Sequence, residues 1–180
     1  MKLKTLLTTA VTTVLSAAII LPAHAVDGTI NFLGSITATT CTISVNGGGA
    51  NATVSLPVAR LDHMKTIGNT TGATDFNVVL SNCTGAAIDG QGVAVHFESG
   101  GTVNGNGRLT SSGTATGVEL AIHQRDSAEA LVLGQAPAAA IGNVAGTGVT
   151  LPYTVKYYST SATPAAGSVA SSATYSVVYF

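Results

Sequence analysis

The fold is indicated first by the stretch ATYSVVYF, residues 173–180, the last eight of the sequence. Its bulky side chains recur at every second position, in Tyr175, Val177 and Tyr179, which is the period of a β-strand with one buried face. No turn residues follow that would let a hairpin cover the far edge of the strand. The stretch therefore predicts a strand whose outer edge is left open within its own chain.

The same alternation recurs along the rest of the sequence. Further strands are predicted at 30–36, 41–45, 53–58, 76–83, 92–97, 118–122, 131–133 and 151–158. Only 59–65 and 136–141 have the composition for a turn or two of helix. Short strands separated by Gly- and Asn-rich turns are typical of a β-sandwich, so we expect an all-β domain with no second domain attached.

The first 25 residues are predicted to be a signal peptide. Lys2 and Lys4 precede an apolar run over 6–21, and Ala23 and Ala25 supply the small-x-small pattern of a cleavage site before Val26. The run is too short for a membrane-spanning helix, which needs about 20 apolar residues. Cleavage leaves 26–180 as an exported chain, the size of one domain with a worthwhile core.

The charge pattern excludes one class of partner. Charged residues make up only 8 % of the chain, against about 25 % in typical domains. Residues 26–180 contain five Lys and Arg and eight Asp and Glu, a net charge of −3. Nucleic acid is therefore not expected as a partner, because phosphates require clustered positive charge. A surface so poor in charge suits a subunit packed against copies of itself.

The two cysteines, Cys41 and Cys83, are expected to form a disulfide. An exported chain with an even number of cysteines most often pairs them. A metal site would need further ligands at local spacing, and the sequence has none near them. The bridge would close a loop of about 43 residues, which contributes up to about 4 kcal/mol of stability in the chain-entropy model.

The segment before Cys41 has an apolar face of its own. Ile30, Phe32, Gly34 and Ile36 share one side of the predicted strand. A glycine inside a strand often marks the close approach of another backbone. Alternation alone does not prove whether this strand pairs within its own sandwich or with another chain. Without further information, pairing within its own sandwich is favoured.

Nothing in the sequence points to catalysis. Residues 26–180 contain three histidines, His63, His96 and His123, and none lies in a Gly-x-Ser-x-Gly or His-Glu-x-x-His motif. A hydrolase needs a nucleophile, a base and an orienting acid. We therefore expect no catalytic site, no metal and no cofactor.

The chain resembles the major subunits of chaperone–usher pili of the type 1 fimbrial kind. The resemblance rests on GTINFLG (28–34) before Cys41, DFNVVLSNC (75–83), GVELAI (117–122), LPYTVKYY (151–158) and the closing ATYSVVYF. It also includes the family's penultimate tyrosine, at Tyr179, and its glycine fourteen residues from the end, at Gly167. The matching pieces span the whole mature chain.

This resemblance implies an immunoglobulin-like β-sandwich that lacks its last strand and is completed by donor-strand exchange. The implied organisation is a signal peptide (1–25), an N-terminal donor-strand extension (26–40) and a pilin sandwich domain (41–180). The donor residues would be Ile30, Phe32, Gly34 and Ile36. The acceptor groove and chaperone-binding strand would contain Gly167, Ala173, Tyr175, Val177, Tyr179 and Phe180.

The resemblance also implies the function and the partners. The chain would be a structural, non-enzymatic subunit of an adhesive fimbria, with roles in cell adhesion and biofilm formation. Its partners would be copies of itself, other pilus subunits, a periplasmic chaperone, an outer-membrane usher and receptors on a host or surface. The route is export through the periplasm to an extracellular fimbrium. The alternative is a minor adaptor or tip subunit of the same pilus class, with a ligand-binding role.

Overall fold

The computed structural model describes residues 40–85 and 88–180. Within them the chain forms eight β-strands and one short 3-10 helix. The strands are β1 (Thr40–Val45), β2 (Thr70–Thr84), β3 (Gly92–Phe97), β4 (Leu109–Thr110), β5 (Val118–Gln124), β6 (Gly142–Asn143), β7 (Val149–Ser159) and β8 (Tyr175–Tyr179), and the helix is η1 (Leu61–Met64). No helix in this part of the chain is long and apolar enough to cross a membrane.

The strands form two antiparallel sheets. The larger sheet has the order β1-β2-β7-β5-β4 and the smaller has the order β6-β3-β8. The long strands β2 and β7 lie at the centre of the larger sheet, with Phe76 opposite Tyr153 and Val78 opposite Leu151. The all-β sandwich expected from the sequence is confirmed.

The core lies between the sheets and follows the alternation of the sequence. On β2, Phe76, Val78 and Leu80 are buried and the residues between them are less so. Phe97 of the smaller sheet and Tyr153 of the larger meet edge to face, with ring centroids 5.3 Å apart. Each such side chain contributes about 1.5–3 kcal/mol when it is fully buried, so the aromatic contacts hold the two sheets together.

The disulfide between Cys41 and Cys83 is present, with the two Cα atoms 4.1 Å apart. It joins the edge strand β1 to β2, the strand it pairs with. The first residues of β1 are therefore fixed covalently to the centre of the larger sheet.

Three expectations about local structure are wrong. Residues 53–58 are in no strand of the structure, and 136–141 contain no helix. The predicted strand at 131–133 is reduced to single backbone bonds from Leu131 to Ile122 and from Leu133 to Gly107. At 136–141 tertiary contacts override local helix preference, because the Ile141 N–H donates to the Val93 carbonyl on β3.

Tyr153 also links the sheets through a hydrogen bond. Its side chain is fully buried, and the backbone N–H of Val95 on β3 donates to its hydroxyl oxygen over 3.2 Å. Burial raises the pKa of Tyr153 to about 12, because the phenolate would lose its hydration. The Val95 N–H acts in the opposite direction and more weakly.

Replacement of Tyr153 by Phe is expected to lower the free energy of unfolding by about 1–3 kcal/mol, because the buried Val95 N–H loses its acceptor. The pKa adds a pH signature. A tyrosine whose pKa is raised by folding contributes its full stability below about pH 10, the value of an unfolded tyrosine, and loses it as the pH rises toward about 12. Urea unfolding of both proteins from about pH 9 to about pH 12 should show the steeper loss in the wild type. Parallel pH profiles would contradict the assignment.

Candidate functional site

Among the described residues, the two sheets leave unpaired edges on the same side of the sandwich. β8 is the last strand of the smaller sheet and β1 is the last strand of the larger one. Two tyrosines of β8 reach across this gap. The Tyr175 hydroxyl donates to the Ala50 carbonyl over 2.8 Å, and the Tyr179 hydroxyl lies 3.6 Å from the Cys41 Sγ. The edges are thus bridged by side chains and not by a backbone ladder.

The C-terminal segment is bonded to its own domain through every second residue. Ser168, Ala170 and Thr174 accept backbone bonds from Ala115, Ser112 and Glu98 respectively. The Phe180 N–H donates to Gly92, and the β3–β8 register places Val178 opposite Ala94 and Ser176 opposite His96. The bonded set therefore consists of even-numbered residues from 168 to 180.

The odd-numbered residues of this segment face the open side. In an antiparallel strand, neighbouring residues direct their N–H and C=O groups to opposite edges. No backbone bond within the described part of the chain involves the main-chain groups of Val169, Ser171, Ala173, Tyr175, Val177 and Tyr179. We call this row the free edge. It presents six N–H groups and six C=O groups.

An apolar groove of about 590 Å³ lies beside the first half of the free edge. Core side chains form its floor: Phe76, Val78, Phe97, Leu109, Leu120, Ile122 and Val155. One wall is the free-edge segment 169–173 with Tyr175, and the opposite wall is 50–54 with Leu56. None of the described residues that line it is charged. A groove of this size that is floored by core side chains indicates a site for apolar side chains from another segment.

The wall formed by 50–57 is the segment whose strand prediction is wrong. It has no ladder partner among the described residues, and tyrosine hydroxyls hold its two ends. Tyr175 donates to the Ala50 carbonyl, and Tyr157 donates to the Pro57 carbonyl over 3.2 Å. Between these two points its alternating apolar residues, Val54 and Leu56, pack against the core cluster.

The predicted acceptor residues do not all lie in the groove. Ala173 and Tyr175 line it, and Val177 and Tyr179 continue the free edge beyond it on β8. Phe180 bonds through its carbonyl to the Gln91 side chain, and its own side chain is about half exposed. All but Gly167 thus lie on or beside the open side of the sandwich.

Gly167 is not among the residues that line the groove. A Cβ atom at this position would collide with the backbone of Thr114 and Ala115. The glycine is needed because the C-terminal segment approaches its own neighbouring segment closely there. The predicted donor residues Ile30, Phe32, Gly34 and Ile36 lie outside the described residues.

Sequence reasoning did not identify the wall at 50–56 or the groove residues Val169 and Ser171. The hydroxyl of Ser171 is buried without a hydrogen-bond partner within the described chain, which is costly in apolar surroundings. Residues 169 and 171 share the odd-numbered parity of Tyr175 and Tyr179. If the alternation of the last strand is continued back toward residue 169, it predicts Val169 and Ser171 as groove residues.

The histidines do not form a catalytic arrangement. His96 Nδ1 lies 3.6 Å from Glu98, whose carboxylate accepts the Ser176 hydroxyl over 2.6 Å, so the serine bonds to the acid and not to the imidazole. His123 is buried, and the pKa of its imidazole is lowered first by desolvation and then by Lys156. In the described ranges, no three His, Cys, Asp or Glu side chains are placed to hold a metal ion.

The family model for fimbrial proteins matches residues 30–179. The F17 fimbrial protein of Escherichia coli is 33 % identical over 86 % of this chain and 88 % of its own length. The major fimbrial subunit SMF-1 of Stenotrophomonas maltophilia is 37 % identical over 91 % of this chain and 98 % of its own length.

Solved structures show the same fold at lower identity. The P pilus rod subunit PapA superposes with a TM-score of 0.59 at 19 % identity, over 78 % of this chain and 99 % of PapA. A subunit from a structure of a chaperone–usher pilus gives 0.58, also at 19 %, over 91 % of this chain and all of that one. The relatives are structural subunits, which confirms the expectation that this chain is not an enzyme. The family match covers most of the chain, and we conclude that this protein belongs to the fimbrial protein family.

Proposed function

We propose that this chain is a polymerising structural subunit of a chaperone–usher fimbria, whose groove accepts the N-terminal strand of the next subunit. The observation that carries the proposal is the free edge beside an apolar groove floored by core residues. Strand addition requires an open sheet edge with space beside it for alternate side chains, and chaperone–pilin complementation is one case of it.

The dimensions of donor and acceptor agree. The free edge runs from 169 to 179, eleven residues, which is about 36 Å at the rise of a strand. The donor segment 26–37 has twelve residues. An added strand has twelve main-chain groups to bond on the free edge, each bond contributing a net of about 0.5–1.5 kcal/mol. Ile30, Phe32 and Ile36 would fill the groove at about 1.5–3 kcal/mol each when fully buried.

The same site would serve the earlier steps of assembly. After cleavage before Val26, a periplasmic chaperone would cover the free edge, and the donor strand of the next subunit would replace it at an outer-membrane usher. The product would be an extracellular fimbria with roles in adhesion and biofilm formation. The relative SMF-1 is a major fimbrial subunit and matches over nearly its whole length, which supports a shaft role over that of an adaptor or tip subunit.

A synthetic peptide of residues 26–37 is expected to bind the mature subunit and to raise its unfolding temperature. Phe32→Ala in the peptide should weaken binding about ten- to hundredfold, because an aromatic side chain leaves the groove. Gly34→Val should also weaken it, since a branched side chain overfills a close backbone contact. Calorimetric titration measures all three affinities.

The matched control is Asn31→Ala in the same peptide, at a position on the opposite face of the predicted donor strand. Its affinity should stay within about twofold of the parent peptide, because no groove contact is lost. A wild-type peptide that does not bind, or an Asn31 substitution as damaging as Phe32→Ala, would overturn the proposed use of this groove.

A further inference from the structure

Three large apolar side chains are exposed within ten residues of one another. Val58 is fully exposed, Ile67 is 62 % exposed and Leu61 is 37 % exposed. We call them the 58–67 cluster. Beside them, Arg60 and Asp62 are joined by an ion pair of 2.9 Å, and the exposed Lys65 adds one positive charge to the segment. Three exposed apolar side chains in one short segment are a candidate interaction surface.

The 58–67 cluster lies at the end of the sandwich where the free edge begins. Val58 follows Pro57, the end of the groove wall that Tyr157 holds. The Gly68 N–H bonds to the Ser159 carbonyl at the end of β7. The C-terminal segment starts at this same end, where Ala165 pairs with Thr116 just before β5. The cluster therefore continues the groove wall.

The opposite end of the sandwich has an exposed aromatic residue. Phe180, 48 % exposed, follows Tyr179, whose hydroxyl lies beside Cys41 near the start of β1. The donor extension joins the domain at this point. In every subunit the extension therefore leaves from the end that carries Phe180.

A donor strand antiparallel to β8 would bring these two ends together. Its residue 37 would lie near residue 169, at the end with the 58–67 cluster, and residues 38–40 would lead into the donor's own β1. Three residues span at most about 11 Å. The donor's Phe180 end would therefore lie directly against the 58–67 cluster of the acceptor.

We propose that the 58–67 cluster docks the Phe180 end of a second copy of this chain, as a body-to-body contact additional to the strand in the groove. This inference rests on the proposed function. The two surfaces differ, so the contact is head to tail, and a head-to-tail contact that does not close on itself propagates into a filament. The contact fixes the angle between consecutive subunits, which a three-residue connection leaves free.

The test uses filaments assembled from the full mature chain carrying Val58→Lys and Ile67→Lys together. Both side chains are exposed in the subunit, so folding should be unaffected. The filaments are expected to dissociate into monomers at a lower denaturant concentration than wild type, and to show a wider spread of bend angles by electron microscopy. Subunit affinity should fall at least tenfold, while the affinity for free peptide 26–37 stays within about twofold, since a peptide has no body to dock.

The control is Val132→Lys, which places the same charge on an apolar residue that is 47 % exposed and outside the 58–67 cluster. Its filaments should match the wild type. Unchanged stability and bend angles in the double variant, or an equal loss in Val132→Lys, would overturn the inference. Failure of the groove mechanism would look different, because the wild-type subunit would then neither bind the peptide nor polymerise.

Discussion

Subunits that lack residues 26–37 are expected to form no filaments, although they keep an intact groove. The described part of the domain begins at β1 and contains the apolar core between the two sheets, so the deletion removes the proposed donor strand and leaves the groove. The ladder of denaturant-resistant oligomers that is expected on gels for wild-type subunits should collapse to a monomer band. The deleted subunit should still bind peptide 26–37 as tightly as the wild type does.

A second variant is designed to block the groove and to keep the donor strand intact. Ala173 lines the groove with a small side chain, and Ala173→Trp would occupy the space that the donor residues need. This variant should donate a strand but not accept one. Mixed in equal amounts, the two defective subunits should form dimers and nothing longer, measured by mass photometry. Long filaments from either variant alone would show that polymerisation uses another surface.

Loss of the disulfide is expected to have the largest effect on the fold itself. The Cys41→Ala and Cys83→Ala double variant opens a loop of about 43 residues, which the chain-entropy model converts to about 4 kcal/mol. The variant also frees β1, an edge strand paired only with β2. Urea unfolding with saturating peptide 26–37 compares the two proteins in the same ligand state, with the bridge intact in the wild type.

A matched control is the serine version, Cys41→Ser with Cys83→Ser, which keeps similar volume and should lose as much stability or more, since buried hydroxyls add a desolvation cost. A loss below about 1 kcal/mol in the alanine variant would contradict the assigned role, because it would mean that the unfolded chain is already compact around these cysteines.

Much of the sandwich follows from alternation in the sequence. The predicted strand at 92–97 coincides with β3, and those at 41–45 and 118–122 lie within β1 and β5. β2 starts earlier than predicted because Thr70 and Thr71 pair with Tyr158 and Tyr157 at positions that carry no apolar signal. A ladder of polar residues leaves no period-two hydrophobic pattern to detect.

The wrong strand prediction at 53–58 has a physical cause. Alternation at 53–58 reports one buried face, which Val54 and Leu56 do supply, but it does not report whether the backbone has a partner. In the described structure that backbone is held by tyrosine hydroxyls at Ala50 and Pro57. Residues 53–58 therefore have the sequence of a strand but no neighbouring strand among the described residues, as expected at the edge of an incomplete sheet.

Gly167 shows a second limit of prediction from the sequence. The resemblance alone assigns it to the acceptor groove. The close neighbour is Thr114 of the same domain. A glycine requirement identifies crowding but not the direction from which the crowding comes, and that direction is set by long-range pairing.

The groove lining has a consequence for how the proposed joint between subunits would respond to salt and pH. The floor, both walls and the free edge contain no acid, no base and no histidine, and burial raises the pKa values of Tyr175 and Tyr179 above the ordinary range for tyrosine. On the acceptor side, an ion atmosphere therefore has no charge to screen, and a change from mild acid to mild alkali alters no charge. In the proposed joint, salt and pH would act through the donor segment, which carries Asp27, and not through the groove.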